Sequence, residues 1–220
     1  MRVLVAAITD NKSEGSLGFT VSLLRFQVAI ATKDVKVDVH YFPTHDQALN
    51  AFADLSEYDT GFFVSTSITF DSGFLFDAIE SQHPFVVGIY PLPGIQWDKV
   101  KESGGVNPKK AGTKFNVTLP SSAASSSLPH QYVPITSAHL SAFVIRRVVV
   151  DSIKMNHPDI AHASGILFHA AGVHDGKYED ADTRFLRLWS GDVRADTKIP
   201  CGNFGSVDFI GCIGARPVIR

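Results

Sequence analysis

The chain has 220 residues, 45% of them hydrophobic and 19% charged, with a formal net charge of −2. That length holds one sizeable α/β domain or two small ones, with an ample core. The charge balance excludes a nucleic-acid backbone binder, because Lys109-Lys110 and Arg146-Arg147 are only pairs. No apolar run reaches the ~18 residues of a membrane span. The cysteines Cys201 and Cys212 build neither a disulfide framework nor a metal cluster alone. Reduced, buried thiols in a cytosolic setting are the expectation.

Arg2 to Ile8 reads as a first buried strand rather than a signal peptide. The apolar run is short, lacks a small-residue cleavage site and ends in Thr9-Asp10. Thr9 to Gly18 is a loop. Leu17, Val21, Leu24, Val28 and Ala31, spaced three and four apart, predict a helix over 17–31. Val35 to Phe42 alternates, with Val35, Val37, Val39 and Tyr41 on one face, and predicts a strand that Pro43-Thr44 breaks. A short helix follows over 46–55, through Ala48, Leu49, Phe52 and Leu55, with Thr44 as its N-cap. Gly61 to Val64 is a continuous apolar run that ends in Ser65-Thr66-Ser67. Asp71 or Ser72 caps a helix through Phe74, Leu75, Ala78 and Ile79, and Phe85 to Tyr90 is a second apolar run. Two such runs predict neighbouring strands buried on both faces. Alternating strands and helices over the first ~95 residues make a Rossmann-like α/β layer.

The rest is less regular. Gln96 to Lys114 is polar, and Ser121 to Ser127 is low-complexity loop. Asn116-Val117-Thr118 matches the N-glycosylation acceptor, a pattern short enough to arise by chance. Tyr132 to Ile135 and Ala142 to Val150 are β-rich, the second leading into a helix that ends near Asn156-His157-Pro158. Leu167 to Gly176 is a loop. Asp182 to Trp189 is a helix with Phe185, Leu188 and Trp189 inward, and Cys201 to Arg220 is Gly-rich and irregular.

Ligands of open α/β sheets bind just beyond the carboxyl ends of the strands. Ser65-Thr66-Ser67 stands at such an end. It is either a phosphate-binding turn or a strand end satisfied by local hydrogen bonds. Asp182 is either a general base or a helix N-cap or first-turn acid. His169 and His174, five apart beside Asp175, lack a third metal ligand and are expected to be solvated. Ser125-Ser126-Ser127 near His130 is no nucleophile motif, and Gly211-Cys212-Ile213-Gly214 is no dinucleotide fingerprint.

Several segments, taken in order, resemble the small metal-dependent glycosyltransferases of the A-type fold found in bacteria, phages and large DNA viruses. Those proteins follow a strand ending in Asp-x-Asp with a helix and a strand leading to Tyr-Pro and a Trp. Here the pieces are Phe62-Phe63-Val64-Ser65-Thr66-Ser67-Ile68, Gly88-Ile89-Tyr90-Pro91 and Trp97. A Gly-Phe-x-x-Ile-x-Arg strand, a Glu-Asp-x-x-Phe helix and a Gly-His-x-Gly segment come next. They are matched by Ala142-Phe143-Val144-Ile145-Arg146-Arg147, Ala181-Asp182-Thr183-Arg184-Phe185 and Gly202-Asn203-Phe204-Gly205.

The resemblance implies a single Rossmann-like A-type α/β domain over 1–220 with a mixed, mainly parallel central sheet. Its nucleotide-binding-type half would be 1–95 and its acceptor-type half 96–220. By the same resemblance, Thr9, His45, Asp46, Ser65, Thr66, Ser67 and Asn203 occupy nucleotide-sugar positions. Asp182 occupies that of a base, and Trp97 is either core or acceptor-cleft wall. The family uses Mn²⁺ or Mg²⁺, ions that want hard, charged oxygen ligands. Serines at 65 and 67 and an amide at 203 leave no metal site, so no metal or other cofactor is expected.

The implied function is a glycosyltransferase-fold protein without its divalent-metal site, a non-catalytic structural or binding protein such as a virus-particle component. The alternative is an active metal-independent glycosyltransferase with a nucleotide-sugar donor, its diphosphate clamped by Arg146 or Arg147. A third, weaker form is a sugar- or nucleotide-binding module without turnover. The expected partners are a nucleotide-sugar or glycan, or other structural proteins, in the cytoplasm or a virion.

Overall fold

The computed structural model describes residues 1–10, 16–104, 111–120, 131–162, 169–199, 201–204 and 208–210. The expectations for Lys109-Lys110, for the serines from 121 to 127, for His130 and for Cys212 with its flanking glycines lie outside the described residues.

The centre is a seven-stranded sheet. Its strands, numbered in chain order, are β1 (Arg2–Ile8), β2 (Lys36–Phe42), β3 (Thr60–Ser65), β4 (Phe85–Gly88), β5 (Tyr132–Pro134), β6 (Ala142–Arg146) and β7 (Arg194–Asp196). The spatial order is β2-β1-β3-β6-β4-β7-β5. β1 pairs in parallel with β2 and β3, and β4 with β7. β6 runs antiparallel to both β3 and β4, and β5 antiparallel to β7. The sheet is therefore mixed, with only β5 and β6 reversed.

This order corrects one expectation. β3 and β4 are not neighbours, because β6 lies between them. Ala142-Phe143-Val144-Ile145 is as apolar as either run and buried on both faces, so it competes successfully for the central position. The β-rich stretch from 142 ends at Arg146, and Arg147 already opens a helix.

Among the described residues there are seven helices. They are α1 (Leu17–Ile30), α2 (His45–Asp54), α3 (Ser72–Glu80), α4 (Trp97–Glu102), α5 (Arg147–Asn156), α6 (Pro158–His162) and α7 (Ala181–Trp189). Hydroxyls and carboxylates satisfy their first N–H groups: Ser16 accepts from Phe19, Thr44 from Gln47, Asp71 from Gly73 and Asp180 from Thr183. No helix among the described residues is long and apolar enough to cross a membrane.

Two cores flank the sheet. On one side Phe52, Phe63, Phe143 and Phe185 join α2, α5 and α7 to the strands, with the Phe63 and Phe143 rings stacked 5.0 Å apart. On the other, Phe19, Phe26, Phe62, Phe70 and Phe74 join α1 and α3. Each such side chain contributes about 1.5–3 kcal/mol by leaving water. The stripe that predicts α1 is not the stripe it buries. Phe19, Leu23 and Phe26 face the sheet, while Leu17 and Val28 are 80% and 76% exposed. Aromatic volume on the other face wins.

Between β4 and β6 the chain makes an excursion of short pairings, Pro91–Ile95 with Thr113–Phe115 and Val117–Thr118 with Ser137–Ala138. Asn116 ties it down. Its side chain accepts from the Tyr90 N–H at 2.9 Å and donates to the carbonyls of Gly88 and His139 at 3.0 and 3.1 Å. Buried and bonded in this way, Asn116 is no glycosylation acceptor in the folded protein.

Candidate functional site

The carboxyl ends of β1, β2 and β3 lie side by side, because these strands are parallel and in register, with Ile8 opposite both Phe42 and Ser65. Each strand then delivers a short polar segment to the same end of the sheet. Behind β1 come Thr9 and Asp10, behind β2 come Pro43, Thr44 and the start of α2, and β3 ends on Ser65. The reversed β6 begins there, so its leading residues His139 and Ser141 join them. The start of α7 and His169 close the group. A cavity of about 390 Å³ opens between them, lined by Asp10, Pro43, Thr44, His45, Asp46 and His169.

Asp10 has φ 53°, a left-handed conformation that aspartate tolerates better than most residues. Its carboxylate accepts the Ser65 hydroxyl at 2.7 Å, and the Ser65 and Ser67 hydroxyls lie 3.0 Å apart. Thr66 is buried. Its N–H donates to the Ile8 carbonyl, and its own carbonyl accepts from Ser16. Thr9 donates both its N–H and its hydroxyl to the Phe42 carbonyl. Ser65-Thr66-Ser67 is thus a strand end held by internal hydrogen bonds, with a carboxylate against it that disfavours an anionic ligand at these hydroxyls.

Histidines and acids form the opposite wall. Asp182 bonds His169 Nε2 at 2.7 Å and stands 3.9 Å from His139 Nδ1. Burial pushes the Asp182 carboxyl up. The hydrogen bond from His169, the charges of His169 and His139 and the Leu140 N–H outweigh that push, and the group is held below the usual carboxylate range. The carboxylate fixes the His169 proton on Nε2. His139 Nδ1 lies 3.0 Å from the Tyr90 hydroxyl, which also donates to the His139 carbonyl at 2.8 Å. His45, the first residue of α2, stacks on Phe143 and lies 5.0 Å from the His169 ring. Burial first, and then the neighbouring His169, lower its pKa to about 4, so it is neutral at pH 7. Its Nε2 is buried without a hydrogen-bond partner. Asp46 accepts the His169 N–H at 3.4 Å.

Of the residues expected from the sequence, Thr9, His45, Asp46, Ser65, Thr66, Ser67 and Asp182 gather at this end of the sheet. Asn203 comes close to them through pairing with Ile68, but its side chain donates to the Pro91 carbonyl at 3.2 Å. Trp97 is 61% exposed at the start of α4 and does not line the cavity. Asp10 and His139 were not singled out in the sequence, and Tyr90 entered only as part of the Tyr-Pro match. For Asp10 a signal existed: an acid two residues beyond a buried strand stands where α/β sites collect. His169 pairs with Asp182 and not with His174, which lies on the hairpin Gly172–His174/Lys177–Glu179 near Asp175.

One expectation changes. Arg146 and Arg147 cannot clamp a diphosphate here. Because β6 is antiparallel, Arg146 lies opposite Thr60, at the far end of β3. Arg146 donates to the Ile79 carbonyl, and Arg147 donates to those of Tyr58 and Leu55 and covers the Phe52 ring at 4.2 Å. The donor set at 65–67 does not fit a divalent ion either, since neutral hydroxyls already bonded to Asp10 and to each other offset little of the cost of dehydration. Among the described residues, no three His, Cys, Asp or Glu side chains gather in a way that could hold a metal.

No family model matches the sequence, and no curated protein matches it. Among solved structures the chain is similar to A197 from STIV, a viral protein, with a TM-score of 0.52 and 16% identity over 93% of this chain and 86% of that one. It is also similar to a putative glucose-1-phosphate thymidylyltransferase from Bacillus anthracis, solved with sucrose, with a TM-score of 0.45 and 9% identity over 92% and 88% of the two chains. The second likeness is too slight to argue from. The first shows that this mixed α/β architecture is shared, nearly end to end, with A197 from STIV.

Proposed function

We propose that the protein is a binding module of glycosyltransferase A-type fold. It takes a polyhydroxyl ligand, a sugar or the ribose of a nucleotide-sugar, without a divalent ion. One observation carries this. The cavity at the carboxyl ends of β1, β2 and β3 is lined by Asp10, Asp46, His45 and His169, with no Lys or Arg among the lining residues. Carboxylates accept hydrogen bonds from sugar hydroxyls. A pyrophosphate in the same place would meet negative charge and no fixed cation. The order of motifs resembling the A-type transferases and the architecture shared with A197 support the fold.

The test follows thermal unfolding with neutral monosaccharides, nucleosides, UDP and UDP-sugars, each with Mn²⁺ and with EDTA. A ligand of the native state raises the midpoint by mass action. The expected result is a rise with a sugar or nucleoside that EDTA leaves unchanged and that Asp10→Asn removes. A rise seen only with a nucleotide-sugar and Mn²⁺ overturns the proposal. No rise with any ligand favours a scaffold role.

One observation favours a second reading, a metal-independent transferase. His169 lines the cavity with Asp182 hydrogen-bonded behind it, an acid–base pair able to take a proton from an acceptor hydroxyl. Donor hydrolysis in EDTA that falls at least ~100-fold in Asp182→Asn would establish it. Binding without hydrolysis leaves the module as proposed.

A further inference from the structure

α1 is amphipathic twice over. Leu17, Val21, Leu24 and Val28 are 80%, 37%, 56% and 76% exposed, on a helix whose other face is already sealed against the sheet. Their spacing of four, three and four places them within about 60° of arc, along about 16 Å of helix. A strip this narrow is the seam that one helix offers to another, rather than a scatter of surface apolar residues.

We propose that this strip is a homodimer contact in which two copies pair their α1 helices antiparallel. The pattern is its own complement. About a two-fold axis between residues 22 and 23, Leu17 faces the second copy's Val28, and Val21 faces the second copy's Leu24. Larger and smaller side chains alternate across the seam, and one patch serves both chains, as an isologous interface requires. Charge agrees. Arg25 is the only charged side chain on α1, and the register sets it beside the second copy's Thr20 and not beside another Arg25. A lipid surface is the poorer occupant, because helices that lie on membranes carry Lys/Arg-rich polar faces. The strip exposes roughly 400 Å² per copy, and its exposed flanks Thr20, Arg25, Gln27 and Ala31 bring the pair to the low end of specific interfaces, ~1,200 Å² in total. An interface at the low end of that range suits a reversible dimer.

Sedimentation over a concentration series tests this. The parent chain is expected to rise from 23.9 kDa toward twice that mass. Leu24→Glu and Val28→Glu, both at exposed positions, are each expected to stay at the monomer mass, with thermal unfolding equal to the parent's at concentrations where the parent is monomeric. Under mild oxidation a mixture of Leu17→Cys and Val28→Cys chains should cross-link, and Leu17→Cys alone should not, beyond the parent background. A parent chain that stays monomeric throughout overturns the proposal. So does cross-linking of Leu17→Cys with itself, which would mean a parallel pair. Vesicle binding that Leu24→Glu abolishes, in a chain that never self-associates, would assign the strip to lipid instead.

Discussion

At His45 the fold holds an imidazole neutral against its ordinary tendency. Unfolded, it takes a proton near the usual 6.5, and folded only near 4. Between those values the unfolded state binds more protons. Stability therefore falls as the pH drops from about 6.5 to about 4, and this contribution is flat below. His45→Phe keeps the stack on Phe143 and removes the titration. Urea unfolding should show about 2–3 kcal/mol less loss between pH 7 and 4.5 in the variant than in the parent. Equal losses would mean that His45 is not buried as a neutral group. Asp182 has the opposite chemistry and the same sign. Its folded pKa is depressed, so its contribution is present above about 3.8 and disappears as acid protonates it in the folded state. A second prediction concerns Ser65, whose hydroxyl lies 2.7 Å from the Asp10 carboxylate. Ser65→Asp would press two carboxylates together and cost about 1–3 kcal/mol at pH 7. Mn²⁺ should restore melting temperature in that variant and not in the parent. No ion effect in a folded variant would refute it. The serines were legible as a missing charge. Their pairing with Asp10 was not, because that residue arrives from another strand.

Among the elements, those with one chemical reason to exist were the legible ones. β1, β3 and β4 are continuous apolar runs, and Thr44 and Asp71 cap their helices as their side chains dictate. α1 was legible as a helix and misleading as a surface, since two apolar stripes share it and only tertiary packing chooses between them. α7 shows how a cap frees a functional group. Asp180, and not Asp182, caps the helix, which leaves the Asp182 carboxylate for His169. α5 is anchored by its first residue. Arg147 donates to carbonyls in the turn between α2 and β3 and lies over Phe52. Arg147→Met keeps the stem and removes the donors. It should lower unfolding free energy by about 1–3 kcal/mol, measured in urea, because part-buried carbonyls lose their partners. A loss under ~0.5 kcal/mol would show that water replaces the guanidinium without cost.

At the scale of the whole molecule, Asn116 holds the excursion to the sheet through its bonds to residues 88, 90 and 139. Asn116→Ala should cost about 2–4 kcal/mol and make the 113–118 amides exchange with solvent faster than those of β1. Equal protection would contradict that role. The position of β6 reaches further still. A nascent chain that has emerged only as far as Tyr90 owns β1, β2, β3 and β4, yet β3 lacks one neighbour until residues 142–146 arrive, and β4 lacks both of its own until 142–146 and 194–196 do. During that interval three bare strand edges stand open to other polypeptides. A chain halted there would carry open sheet edges that the finished fold covers.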